Sequence, residues 1–147
     1  FIFGPAYKGT PLATSISNSL YNAHNIIKPF CFNRKEIKKH GESGIFVGSQ
    51  PKGRALIVDD VISSGKSIIE SIDLLSNNNA TPSTVLVAFD RMERGANEKA
   101  SLEISSKYSI PVFSIITLDD IIEFLTSEKM MAVELNSMIK YMKIYKG

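Results

Sequence analysis

The chain switches between two hydrophobic rhythms. Short apolar runs, of the kind that form buried parallel strands, are followed by segments whose apolar residues recur every third or fourth position. Phe1-Ile2-Phe3 opens the series. After a glycine-containing loop, Thr10 reads as an N-cap with Pro11 at the first helical position. Leu12, Ile16 and Leu20, with Ala13 and Ala23, then make one helical stripe. Pro29-Phe30-Cys31-Phe32 reads as a short strand, and Ala55-Leu56-Ile57-Val58 as a buried one. Ile68, Ile69, Ile72 and Leu75 mark a helix that ends in the polar turn Asn77-Asn78-Asn79.

The alternation continues to the end. Residues 84–89 are a strand of high β-propensity, 98–107 a weaker helix and 112–116 another strand. Thr117 and Asp120 form a capping box, with Asp in place of the usual Glu. It opens a helix that turns Leu118, Ile121, Ile122 and Leu125 inward. Met131, Leu135, Met138, Met142 and Tyr145 mark a final amphipathic helix, whose methionine stripe is expected to pack in the core. Strands alternating with helices predict an α/β fold, a mostly parallel central sheet flanked by helices, with ligands at the carboxyl ends of the strands.

Chemistry concentrates in residues 55–67. The strand runs into the adjacent carboxylates Asp59 and Asp60, then Val61 and Ile62, then the small hydroxyl-rich loop Ser63-Ser64-Gly65-Lys66-Ser67. A strand ending in such a loop at a helix start is a phosphate site, because unpaired N–H groups and the positive end of the helix dipole face the anion. The two aspartates would repel a bare phosphate. They suit a ligand that also offers hydroxyl donors, such as a ribose. A Walker loop fails, since its first glycine would fall on Asp60. The plainer alternative is an ordinary strand–turn–helix with a solvated acidic end.

In a parallel sheet three loops converge on one edge: 6–9 with Tyr7 and Lys8, 59–67, and Asp90-Arg91. Residues 34–53 have few large apolar side chains and no sustained period, and the first part is dense in cations, with Arg34, Lys35, Lys38, Lys39 and His40. They read as one long loop, either functional or a solvated linker. No aromatic residues interleave there as in a nucleic-acid groove.

Composition narrows the class. With 147 residues, 44% hydrophobic and 22% charged, the chain is sized for one domain with a real core, spanning 1–147. A net charge of +2 does not by itself imply nucleic acid. The one cysteine, Cys31, allows no internal disulfide, and a reducing cytoplasmic setting is expected. No apolar run approaches membrane-spanning length. Phe1-Ile2-Phe3 looks like a strand already under way, so a fragment lacking its N-terminal part is expected.

These motifs resemble those of the orotate phosphoribosyltransferases, type I phosphoribosyltransferases that use phosphoribosyl diphosphate (PRPP). Hydrophobics before Asp59-Asp60 and a small Ser-Gly loop look like the PRPP signature. Phe3-Gly4-Pro5-Ala6-Tyr7-Lys8-Gly9 looks like the diphosphate loop. Phe32-Asn33-Arg34-Lys35-Glu36, with Lys38, His40 and Gly41, looks like the mobile catalytic loop, and Asp90-Arg91 with Glu93-Arg94-Gly95 matches as well. The loop Ser63-Ser64-Gly65-Lys66-Ser67 departs from the usual Thr-Ala-Gly-Thr-Ala, adding the cation Lys66.

The resemblance implies a type I phosphoribosyltransferase fold and transfer of 5-phosphoribosyl from PRPP to orotate, with Mg²⁺ carried by PRPP near Asp59 and Asp60. It implies that Lys38, Arg34, His40, Lys35 and Asp60 are catalytic, and that Tyr7 and Lys8 border the diphosphate. Asp59 and Asp60 would hold the ribose hydroxyls, and Val61, Ile62, Ser63, Ser64, Gly65, Lys66 and Ser67 the 5-phosphate. Ser63 and Arg91 would face orotate, against the alternative that Arg91 makes a surface salt bridge with Asp90 or Glu93. It also implies a homodimer in which the 34–53 loop acts on the partner subunit, with no nucleic-acid or membrane partner. Two other functions fit the same fold: another base specificity, or a PRPP-sensing regulator that binds nucleic acid.

Overall fold

The computed structural model describes residues 1–38 and 44–147, and the backbone alone for 36–38. Along the chain run β1 (Ile2–Phe3), α1 (Gly9–His24), β2 (Phe30–Lys38), β3 (Gly44–Gly48), β4 (Gly53–Ile62) and α2 (Lys66–Ser76). Then follow β5 (Ala80–Asp90), α3 (Ala100–Tyr108), β6 (Val112–Thr117), α4 (Leu118–Ser127) and α5 (Ala132–Tyr145). Among these residues one sheet has the order β3-β2-β1-β4-β5-β6. Every neighbouring pair is parallel except β2 with β3.

Strand alternation divides the core between the two sheet faces. Ile2 and Val58 pack with Ala13, Leu12, Ile16 and Leu20 of α1 on one side. Phe3, Ala55 and Ile57 join Ile68, Ile72 and Leu75 of α2 and Ile104 of α3 on the other. The central strands β1 and β4 are therefore buried on both faces, and their apolar residues run together without the polar alternation of a half-exposed strand. The capping box at α4 forms as the sequence predicts: Asp120 N–H donates to the Thr117 hydroxyl at 3.2 Å, and Thr117 N–H donates to the Asp120 carboxylate at 2.6 Å. Leu118 and Leu125 of that helix are buried.

Three expectations are corrected. Helix α1 begins at Gly9 with Lys8 in the cap position, so Thr10 is not the N-cap. The reason is contact: a Cβ on Gly9 would lie 2.6 Å from both the Val58 carbonyl oxygen and Pro5 Cδ. That close approach fixes the first turn one residue earlier than the polar side chain suggests. Pro11 still falls in the first turn, where its missing N–H costs nothing.

The stretch 34–53 is not one loop. Strand β2 runs on to Lys38, and Gly44–Gly48 returns antiparallel to it, with Cys31 opposite Gly48 and Asn33 opposite Phe46. Ile45, Phe46 and Val47 supply the strand propensity, and Phe46 meets Phe3 edge-on with ring centroids 6.1 Å apart. Cross-strand pairing satisfies a backbone whose charged side chains hide its period. His40 and the side chain of Lys38 lie outside the described residues.

The methionine stripe is not core. Helix α5 has no buried residue, and Met131, Val133, Ile144 and Tyr145 are exposed. The helix packs on α4 and on the segment after β5, so Leu135, Met138, Ile139, Tyr141 and Met142 are partly buried but none is fully buried.

Candidate functional site

From β1 the chain passes through α1 to β2 on one side, whereas β4 passes through α2 to β5 on the other. Connections therefore diverge between the adjacent strands β1 and β4, which opens a crevice at their carboxyl ends. The loops expected to converge flank it: residues 4–8 after β1 and 63–65 after β4.

The first loop is held by backbone packing and one side chain. A Cβ on Gly4 would lie 2.1 Å from the Gly9 carbonyl oxygen, so the loop closes tightly on itself. The Ala6–Tyr7 peptide bond is cis, and Ala6 N–H donates to Asn33 Oδ1 of β2 at 2.9 Å. Tyr7 projects outward, 71% exposed, with the Lys35 ammonium 4.7 Å from its ring centroid. Arg34 is half-buried and lines the cavity that Tyr7, Asn33 and Lys35 also border.

The two aspartates separate because they are neighbours on a strand. Asp59 shares the face of Ala55 and Ile57, and Asp60 the face of Leu56 and Val58. Asp59 is buried; it accepts from the Ser67 hydroxyl at 3.2 Å and from Asp60 N–H at 2.9 Å. Burial pushes its carboxyl above the usual aspartate range, partly offset by those two hydrogen bonds. Asp60 faces the opposite loop and pairs with Lys8 at 2.9 Å. The Asp60 carboxylate in turn raises the Lys8 ammonium above its ordinary value, chiefly through their hydrogen bond.

Behind the aspartates lies a cavity of about 350 Å³ lined by Val61, Ile62, Ser63, Ser64, Gly65, Lys66 and Ser67. Gly65 caps α2 at φ 78°, a left-handed conformation that glycine adopts without strain. The first-turn N–H groups of α2 have no intrahelical acceptor, so they and the helix dipole face this cavity. The Lys66 ammonium stands 3.9 Å from Glu70, both well exposed, which makes it a weak surface pair.

The base-facing candidates emerge beside that loop. Ile62 pairs with Asp90 across β4 and β5, and Arg91 N–H donates to the Ile62 carbonyl at 3.0 Å. Arg91 and Ser63 thus leave the sheet side by side. The Arg91 Nε lies 3.0 Å from Glu93, so the expected alternative pairing exists, with Glu93 and not Asp90 as partner. Asp90 is buried and otherwise engaged: it accepts from Met92 N–H at 2.7 Å and the Ser101 hydroxyl at 2.8 Å, and pairs with Lys99 at 3.3 Å.

The structure brings together Tyr7, Lys8, Lys35, Asp59, Asp60, the Val61 to Ser67 loop and Arg91. Two contributors went unassigned in the sequence. Asn33 fixes the first loop, and Tyr141 of α5 accepts from Arg91 Nη2 and donates to Glu93. Asn33 sat inside the basic motif and was readable there. Tyr141 had no local signal, because its partners are far away in the chain.

Comparison with known proteins identifies the family. The phosphoribosyl transferase domain family matches residues 1–130. An orotate phosphoribosyltransferase of Thiobacillus denitrificans is 48% identical over 145 residues, covering 98% of this chain and 68% of the relative. The chain belongs to the orotate phosphoribosyltransferase family. A Nitrosomonas europaea member is 51% identical over 98% of this chain and 63% of its own length. The crystal structure of the Francisella tularensis orotate phosphoribosyltransferase superposes with a TM-score of 0.78 at 33% identity, covering 99% of this chain and 70% of that one. The chain thus spans about two-thirds of the length of such family members.

Proposed function

We propose that this chain transfers 5-phosphoribosyl from PRPP to orotate, releasing diphosphate and orotidine 5′-monophosphate. The observation that carries the reading is the split aspartate pair at the switch point, with an anion-ready helix start behind it and Lys8 and Arg91 on either side. Asp59 and Asp60 take the ribose hydroxyls. The 61–67 loop takes the 5-phosphate, with the N–H groups of the first α2 turn as donors. Lys8 leaves Asp60 for the diphosphate and frees that carboxylate for the sugar. Tyr7, with Lys35 over its ring, borders the same group, and Arg91 takes the orotate carboxylate beside Ser63.

Breaking the anomeric C–O bond leaves positive charge on the ribose and negative charge on diphosphate. Lys8 and Lys35, joined by Arg34, Lys38 and His40, neutralise the leaving group, and the 34–53 segment excludes water. Among the described residues no three His, Cys, Asp or Glu side chains gather to hold a metal. The partly exposed Asp60 carboxylate fits an ion delivered on PRPP, since Mg²⁺ commonly uses one or two carboxylates plus substrate phosphates. Mg²⁺ bound to the diphosphate would supply charge neutralisation there.

The same reading takes 1–147 as one catalytic domain acting in a homodimer, with the 34–53 segment serving the partner's site. A cytoplasmic setting suits it: Cys31, the one cysteine, is a buried free thiol, as reducing compartments maintain. Among the described residues no helix is long and apolar enough to cross a membrane. The test is turnover of PRPP by the full-length enzyme with orotate, uracil, adenine and hypoxanthine in turn. Orotate alone should support rapid diphosphate release. Preference for another base would overturn the acceptor, and tight nucleic-acid binding without turnover would favour a regulator.

A further inference from the structure

Helix α5 contributes nothing fully buried to the core, yet its end is stitched to the segment that follows Arg91. Arg94 N–H donates to the Tyr145 carbonyl at 2.7 Å, Gly147 N–H donates to the Met92 carbonyl at 3.1 Å, and Glu93 pairs with Lys146 in an antiparallel bridge. The Lys146 ammonium anchors the same segment to Asp119 of α4 at 2.8 Å. One turn earlier on α5 stands Tyr141. Its hydroxyl accepts from Arg91 Nη2 and donates to the Glu93 carboxylate, which also meets Arg91 Nε at 3.0 Å. The Arg91 guanidinium carbon lies 5.1 Å from the Tyr141 ring centroid, and that ring packs on Tyr145 at 4.6 Å.

These contacts use a specific part of the guanidinium. Nε and Nη2 form its side edge, and both are committed to Glu93 and Tyr141. The end edge, Nη1 with the second Nη2 hydrogen, has the fork geometry that binds a carboxylate through two parallel hydrogen bonds. The Arg91 side chain is 41% exposed. An unrestrained arginine would lose rotamer freedom on gripping a ligand; one already locked loses little.

We propose that Tyr141 is a positioning residue for the acceptor base: by bridging Arg91 and Glu93 it presents the end edge of the Arg91 guanidinium to the base carboxylate. The inference rests on the reading that Arg91 meets orotate. It predicts that helix α5 controls affinity for the base and leaves affinity for PRPP alone.

The test is steady-state kinetics on the full-length enzyme carrying Arg91→Ala, Tyr141→Phe, Tyr141→Leu and the Arg91→Ala/Tyr141→Phe pair, with thermal melting as a folding control. Tyr141→Phe keeps the ring and removes the bridge. It should raise KM for orotate by about tenfold or more, the worth of one hydrogen bond to a charged group. KM for PRPP, kcat and the melting temperature should barely move. Tyr141→Leu should raise KM for orotate further, since it also removes the ring face. In the Arg91→Ala background Tyr141→Phe should cost nothing more, because the two act through one group. An unchanged KM for orotate in Arg91→Ala would overturn the base assignment and this inference with it. A raised KM there, with Tyr141→Phe behaving as wild type, would overturn the inference alone. So would an equal rise in both Michaelis constants, or additive effects in the double variant, since either indicates general loosening of the fold.

Discussion

Lys8 and Asp60 hold each other at 2.9 Å across the crevice between the β1 loop and the end of β4. On the proposed reading each is the other's partner before PRPP arrives and takes a different partner afterwards. Lys8 is 77% exposed and packs against little, so Lys8→Ala should leave the melting temperature essentially unchanged. Its loss should show in PRPP binding, with KM for PRPP rising by about tenfold or more, as expected for a charge-assisted contact. Steady-state kinetics beside thermal melting checks both halves.

Asp59 carries a cost in the free enzyme. Its folded-state carboxyl lies above the ordinary value of 3.8 because burial disfavours the charge. The folded state therefore holds the proton more tightly than the unfolded state. Stability falls as pH rises from the ordinary carboxylate range through the raised value, and stays reduced above it. Asp59→Asn removes that loss, and its amide can still pair with Ser67. The variant should melt higher than wild type at pH 7, the gain should vanish below the ordinary aspartate range, and PRPP turnover should drop. Melting curves across pH with an activity assay at pH 7 check this.

Gly9 is a backbone contact point, not a hinge. A methyl there meets the Val58 carbonyl and Pro5 at 2.6 Å each. Gly9→Ala should destabilise by about 1–3 kcal/mol through overpacking, and should weaken PRPP binding because the Lys8 loop moves with it. Urea denaturation followed by fluorescence of the enzyme measures the first effect.

The residues of the proposed PRPP site were the most conspicuous in the sequence, and the reason is local. Asp59, Asp60 and the 63–67 loop interrupt an apolar run at a point where strand and helix periods change over. A contiguous stretch of chain states both the element boundary and the proposed anion site. The strand–helix alternation was readable for the same reason. Thr10 misled because the start of α1 is set by Gly9 pressing on Val58, which is distant in sequence. The β2–β3 hairpin was hidden because its pairing is tertiary and Arg34, Lys35 and Lys38 mask any apolar rhythm. The α5 stripe has the right period for a core helix, yet periodicity says only that one face is apolar, not what covers it. Tyr141 escaped for a related reason: its meaning depends on Arg91 and Glu93, brought to it by the sheet.

The shared-site proposal has a direct genetic signature. Full-length chains carrying Lys38→Ala and chains carrying Asp60→Asn should each turn over slowly. If the 34–53 segment acts on the partner subunit, a mixed dimer has one site with both changes and one with neither. Activity should then reappear on mixing under exchange conditions. Subunit exchange without recovered activity would place the segment on its own chain's site.

The account stands on the β4 end being the PRPP site, and calorimetric titration of Mg·PRPP into full-length wild type and Asp60→Asn measures that most directly. Wild type should bind one PRPP per chain. Asp60→Asn should bind at least about tenfold more weakly, the worth of a lost charged hydrogen bond, with its melting temperature essentially unchanged. Equal affinity in the two proteins would contradict the ribose assignment and the crevice as the place where the reaction occurs.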